Sequence, residues 1–466
     1  MAHPLHIKYI IIWCTITVLA LSGCKPQKKD VYDFDQIKAS GQLTVITLNS
    51  STSYFIYKDE PMGYDYDLCR DFCDHYGLSL NIKIAKNQTQ LLEMLENGEG
   101  DLVAYGIPVQ NSLKDSIIYC GLGQISHQVL VQSANKGDTL LRDVPDLIGK
   151  EVYVRHKTKY HTRLENLNAE LGGGILIKDV EGDSITTEDL IAMVADGEIR
   201  YTVSDENIAK LNKTYFRNID VSIPISFEQL SSWVVRKNTP KLANALDEWF
   251  SKNGNTPVYK SITKKYFELS KADLDDDISS SLTNPSIPKG HLSPFDDLFK
   301  KHAQNSDLDW RLLAAIAYHE SNFKTNLSSW AGATGLMGLM PRTAVAMGIR
   351  SEDRTNPDLS IKAATKLLSK LEKSYASIHD PHERIKFVLA AYNAGGGHVS
   401  DAQALARKYG ADPHVWENNV RKYINLKSKP EYYNDPVCKN GYFRSTETLN
   451  YVDKVLARWH KYQEQK

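Results

Sequence analysis

A single acid, Glu320, stands near the close of the apolar run "DLDWRLLAAIAYHESNF". Leu313 and Ile316 precede it at helical spacing, so on a helix all three share the face turned toward a core. Desolvation there opposes ionisation, which suits a carboxyl group to hand over a proton and later take one back. Downstream segments add neutral polar groups beside apolar runs: Ser329 in "NLSSWAGATGLMGLMPRTA", and Tyr392 with Asn393 in "FVLAAYNAGGGHVS". Met337 and Met340 sit among the glycines of the first segment, and Glu447 and Tyr451 in the late stretch "STETLNYVDKVL". One acid among such groups fits general acid and base chemistry, in which a leaving group needs a proton. The plainer alternatives are a surface carboxylate at a frayed helix end for Glu320, and simple core packing for the two methionines.

The elements that must position these groups read as helices. Asp307 or Asp309 is available as an N-cap for the run ending at Glu320, Pro341 opens a second helix, and the glycines after Asn393 break a third. Taken in order, "ES", "GATGLMGLMPRTA", "AAYNAG", "DPHVWENNV" and "NGYFRSTETLNYVDKVLARWHKY" resemble the lytic transglycosylases with the goose-type lysozyme fold, over about residues 290–466. The resemblance implies a mainly α domain, with Glu320 as acid and then base. It also implies that Ser329 contacts an N-acetyl group or the glutamate, and that Met337 and Met340 line the sugar groove. Tyr392 would hydrogen-bond near Glu320 or the N-acetyl oxygen, Asn393 would orient it or cap the helix, and Glu447 and Tyr451 would complete the groove. The substrate so implied is the MurNAc-GlcNAc β-1,4 bond of peptidoglycan glycan strands, cut without metal or cofactor. The sugar's own N-acetyl and C6 hydroxyl groups would replace a second carboxylate, giving a 1,6-anhydromuramoyl end. Gly338 stands where that family commonly has glutamine.

Ahead of this half, residues 38–268 alternate short β-rich and helical runs. "QLTVITLN" reads as a strand, "YDYDLCRDFCDHYG" as a helix ended by glycine, "LSLNIKIA" as a strand, "QTQLLEMLENGEG" as a helix and "DLVAYGI" as a strand. That alternation predicts an α/β domain with open, largely parallel sheets. The segments "NSSTSYFIYKDEPMGYDYDLCRDFCDHYG", "LENGEGDLVAYGIPV", "DLIGKEVYV", "MVADGEIRYTVSDENIA" and "QLSSWVVRKNTPKLANALDEWF" are similar to the periplasmic solute-binding proteins for polar amino acids. Two lobes closing on a ligand are implied, with crossovers near residues 115–130 and 215–225. Tyr54 matches an aromatic wall of the ligand site and Asp205 the acid that holds a ligand amine; an N-cap before "ENIAKL" is the other reading of Asp205. Gln110 and Leu113 stand where that family places a threonine and the arginine that grips a carboxylate. The implied ligand is therefore a small cell-wall fragment or an amino-acid-like molecule, or the lobe binds nothing.

The chain of 466 residues balances 56 basic against 57 acidic side chains, which gives no electrostatic reason to expect a nucleic-acid partner. Its start, "MAHPLHIKYIIIWCTITVLALSGC", has an apolar run too short for a comfortable membrane span, ending in small residues before Cys24. "LSGC" resembles a bacterial lipobox, which implies a lipoprotein signal over residues 1–23, acylation of Cys24 and a solvated tether over residues 24–37. Lys25, rather than an aspartate, after the cysteine points to the periplasmic face of the outer membrane. Cys69 and Cys73 read as buried small side chains on one helix rather than a metal pair. "ADLDDDISSSLTNPSIPKGHLSP" lacks apolar periodicity and reads as a linker over residues 269–290, with the second domain at 291–466. Three readings remain: a lipid-anchored lytic transglycosylase regulated by its first half, a lipoprotein ligand sensor with an inactive lysozyme-like half, and a true hydrolase of the same glycan.

Overall fold

A computed structural model describes residues 32–464 except 157, 181–184, 270–286 and 305. Cys24, most of the tether and most of the linker lie outside the described residues. The first half builds two five-stranded sheets. One has the order β4-β1-β5-β12-β6, from β1 (Gln42–Leu48), β4 (Ser79–Ala85), β5 (Leu102–Pro108), β6 (Ile117–Ser126) and β12 (Gln229–Arg236). The other has the order β11-β7-β10-β8-β9, from β7 (Gln128–Ser133), β8 (Glu151–Arg155), β9 (Leu176–Val180), β10 (Tyr201–Asp205) and β11 (Ile219–Asp220). The chain leaves the first sheet at His127 and returns between β11 and β12, close to the two crossovers read from sequence. β1 pairs in parallel with β4 and β5, while β12 runs antiparallel to both its neighbours, so the sheets are mixed at the crossovers and parallel elsewhere.

Local chemistry explains the elements. The Tyr64–Tyr76 helix stops at Gly77, whose φ of 66° is open to glycine at little cost. That helix buries Cys69 and Cys73 at 1% exposure each in the first lobe's core, as free thiols whose pKa values burial pushes up. The first domain starts earlier than the boundary at residue 38. Asp33 caps the helix Phe34–Ser40 and accepts hydrogen bonds from the Lys241 and Leu242 amides, while Phe34 and Ile37 enter the core. Between β1 and the Tyr64–Tyr76 helix, a small hairpin of β2 (Phe55–Tyr57) and β3 (Glu60–Met62) projects from the domain, with Lys58 and Asp59 at its tip in the left-handed region at φ 48° and 61°.

The second half is mainly helical. Its core gathers Leu313 and Ile316 from the Trp310–Ser321 helix, Phe387 and Leu389 from the Pro381–Ala394 helix, and Val452 and Val455 from the Ser445–Glu464 helix. Asp309 caps the first of these through the Arg311 amide at 2.9 Å and also accepts the Trp459 indole N–H at 3.0 Å, which ties the helix start to the last helix. At the other end the Ser321 hydroxyl donates to the Leu336 carbonyl at 2.8 Å, fixing the residue next to Glu320 against the glycine-rich loop.

Candidate active site

Glu320 lies one residue before the C-terminus of the Trp310–Ser321 helix and lines a cavity of 1140 Å³ that runs between the two halves of the molecule. Ser329, Asn393, Glu447 and Tyr451 line the same cavity. The Tyr392 hydroxyl donates to the Met337 carbonyl at 2.7 Å, so it braces the loop beneath the acid rather than reaching the acid itself. Burial, together with the Glu320 charge, pushes the phenols of Tyr392 and Tyr451 well above the usual tyrosine range, which keeps both as neutral groups beside the carboxylate. Asn393 is held by the Thr448 hydroxyl, which donates to its Oδ1 at 2.6 Å. Ser329 accepts the Ala333 amide at 3.1 Å and so closes its own loop.

The methionines are placed differently from the groove lining that the resemblance implies. Met337 is 0% exposed in the domain core, and Met340 packs with Met62 of the first domain. Neither lines the cavity, whose wall at this point is Gly335 and Gly338. Gly338 has φ 59°, and a Cβ on it would lie 2.0 Å from Glu320 Oε2. The space a glutamine would fill is taken by the acid itself.

A basic group from the first domain completes the site, and sequence reasoning missed it. Lys58 Nζ donates to Glu320 Oε2 at 3.1 Å and to Oε1 at 3.3 Å, with both side chains only 8% exposed. The hairpin tip is seated by further bonds. The Lys58 amide donates to the Ala394 carbonyl at 3.1 Å, and the Gly396 amide donates to the Asp59 carboxylate at 3.3 Å. Tyr57 donates to Glu447 at 3.1 Å, and Ile56 accepts from His398 at 2.9 Å. For that last contact the ring must carry its proton on Nε2, because Nδ1 faces the Lys427 ammonium at 2.7 Å; burial pushes the His398 pKa well down. The "KDE" between "FIY" and "PMG" marks a hairpin turn, yet nothing local marks a partner 262 positions further on.

In the first domain the cavity is bordered by Ser51, Tyr105, Arg155 and Glu188, and not by Tyr54 or Asp205. Tyr54 stacks edge-on against Tyr66. Asp205 occupies the N-cap position of the Glu206–Lys213 helix without a side-chain cap bond; its carboxylate is held by Lys159 at 2.5 Å and Tyr160 at 3.1 Å. In this conformation the acid expected to meet a ligand amine meets a lysine of its own lobe.

Comparisons with known proteins agree with this two-part architecture. Residues 43–269 match the bacterial extracellular solute-binding proteins of family 3, and residues 297–415 match the transglycosylase SLT domain. A membrane-bound lytic murein transglycosylase F of Desulfosudis oleivorans is 32% identical over 98% of this chain and 98% of its own length. The chain belongs to that family. A namesake from Pseudomonas fluorescens is 29% identical over 97% of this chain and 90% of its own, and one from Vibrio parahaemolyticus 29% over 94% and 84%. Among solved structures, the first half is similar to an ancestral cationic amino acid solute-binding protein (18% identity, TM-score 0.43, 50% of this chain and 99% of that one). It is also similar to the unliganded open L-cystine receptor of Neisseria gonorrhoeae (16%, TM-score 0.43, 51% and 97%). The relatives are named membrane-bound, and no helix among the described residues is long and apolar enough to cross a membrane.

Proposed function

We propose that this transglycosylase cuts the MurNAc-GlcNAc β-1,4 bond of peptidoglycan with Glu320 as its acid and base, leaving 1,6-anhydromuramoyl ends. The observation that carries the reading is the setting of Glu320. It is one carboxylate at the end of a buried helix, on the wall of a long cavity, with neutral phenols behind it and Asn393 and Ser329 on the same wall. In the first step the Glu320 carboxyl passes its proton to the bridging oxygen as the C1–O bond breaks, and the sugar's N-acetyl oxygen bonds to C1. In the second the carboxylate takes the C6 hydroxyl proton, O6 bonds to C1 and the N-acetyl oxygen leaves. Glu320 ends protonated, as it began, and no water is consumed.

A glycosidic oxygen would have to displace Lys58 from Glu320, and in this reading the ion pair is a latch. A small cell-wall fragment or amino-acid-like ligand that closes the first domain's lobes would withdraw the hairpin and open the groove, to the extent that it binds the open form better. Acylation of Cys24 would hold the enzyme at the periplasmic face of the outer membrane. If Cys24→Ala left the chain in the membrane fraction, the anchor would have to lie elsewhere.

The decisive experiment is mass spectrometry of purified sacculi after incubation with the enzyme or with Glu320→Gln, with and without added muropeptides. Anhydro-muropeptides made only by the unaltered enzyme are expected. Reducing-end products would make it a hydrolase. No products under any condition would favour the ligand sensor with an inactive lysozyme-like half.

A further inference from the structure

The second lobe brings together three side chains that neither the glycan reaction nor the latch uses. His156 follows the last residue of β8, Asp179 lies in β9 opposite Val154, and His161 stands in the first turn of the helix Lys159–Glu170. Asp179 Oδ2 is 3.0 Å from His156 Nδ1, and Asp179 Oδ1 is 3.0 Å from His161 Nε2. One donor atom from each residue lies within 4.8 Å of the other two. We infer that His156, His161 and Asp179 form a binding site for a divalent transition ion of the zinc class.

Three features argue for a site rather than a chance surface cluster. The first is spacing. Around a tetrahedral ion with bonds of about 2.0–2.1 Å, neighbouring donors stand roughly 3.3 Å apart, so small side-chain adjustments would seat an ion among these atoms. The second is what lies behind a ligand. Glu165 Oε2 approaches His161 Nδ1 at 3.4 Å from the next turn of the same helix, which is where a carboxylate fixes the tautomer of a metal-bound imidazole and leaves Nε2 free to ligate. The third is charge together with rigidity. Two carboxylates face two imidazoles, a set whose negative charge a divalent ion would neutralise. Asp179 hangs from a paired strand and His161 from a helix capped by Thr158, while His156 is the first residue after β8. Two nitrogens and one oxygen suit zinc, copper(II) or nickel(II) over calcium or magnesium. His161 is well covered whereas His156 and Asp179 remain partly open, so water or a ligand atom can supply the fourth position.

The cluster borders the large cavity through its neighbours. Arg155, adjacent to His156, lines the large cavity, and Lys159 and Tyr160, which precede His161, hold Asp205. An ion here would pin β8, β9 and the helix start that shapes this wall.

The test is zinc titration of the tag-free, EDTA-stripped full chain by isothermal calorimetry, with bound metal counted after dialysis. One saturable equivalent is expected, weakened at least about 100-fold in His161→Ala and in Asp179→Asn, and about tenfold in Glu165→Gln, the usual size of an outer-shell effect. His156→Ala, altered at an exposed side chain, serves as the variant whose folding is least at risk; circular dichroism checks each protein. No saturable zinc in the unaltered chain, or zinc binding by folded His156→Ala and Asp179→Asn as tight as that of the unaltered chain, would overturn the assignment.

Discussion

Replacing Lys58 with alanine should raise the enzyme's activity in the absence of any added ligand. At 3.1 Å the ammonium and the Glu320 carboxylate attract by about 5 kcal/mol if the effective dielectric constant is about 20. Most of that is offset when the pair separates, because both groups regain water, and a net bias of about 1–3 kcal/mol toward the latched state is a reasonable residue. The remaining hairpin contacts, including the bonds to Ala394 and Gly396, persist in the variant, so the latch is weakened and not abolished. At 1.4 kcal/mol per factor of ten, the open fraction should rise roughly 5- to 140-fold as long as the open form is the minor one. The assay is the initial rate of muropeptide release from sacculi without added fragments, with Lys58→Ala and Lys58→Glu beside the unaltered enzyme. The glutamate variant should be the more active, since it sets a like charge against Glu320. If both variants were folded and no faster than the unaltered enzyme, the hairpin would not be what restrains the acid.

Burial pushes the Asp65 carboxyl up to about 6 against the bonds from Ser53 and Trp233 that favour its charge. Between pH 4 and 6 the folded chain therefore holds a proton the unfolded chain has lost, so this group makes stability fall as pH rises, by about 3 kcal/mol in all. In thermal melts of the first domain, Asp65→Asn should lack that component; parallel pH profiles for the two proteins would refute it. Gly338→Ala combines a left-handed φ with a methyl group driven into the Glu320 carboxylate, and a loss of about 1–3 kcal/mol is expected in the melting of the second domain. An unchanged melt would mean that the loop relaxes freely. Arg444 lies 3.8 Å over the Tyr215 ring and donates to Asn212 Oδ1 at 3.3 Å, bridging the second lobe to the catalytic half. Arg444→Ala should loosen that junction, read as a larger radius of gyration in solution scattering and faster proteolysis between the halves.

Much of the architecture was readable because it is written locally. Alternating apolar runs gave β1, β4 and β5, Gly77 ended a helix where a glycine should, and Asp309 took one of the two cap positions proposed for it. Glu320 was found by the same logic, from the apolar face it shares with Leu313 and Ile316. Local pattern says less about which apolar residue meets which space. Met337 and Met340 satisfy core and groove equally well on paper, and only packing puts Met337 in the domain core and Met340 at the junction with the first domain. Lys58 was out of reach because its meaning comes from a contact between domains. The His156, His161 and Asp179 cluster was missed because its acid arrives from a neighbouring strand, outside any spacing motif.

The hairpin of β2 and β3 is shared property: it is built into the solute-binding-like half, yet its tip sits against Glu320 of the other. Linkage between two such sites runs in both directions. If a ligand in the first half frees the groove by some factor, then a glycan strand lodged in the groove, by keeping the tip out, must tighten that ligand by the same factor. An enzyme already engaged on its polymer would thus hold its activator longer than an idle one, and would remember, for the length of that engagement, that it had been switched on.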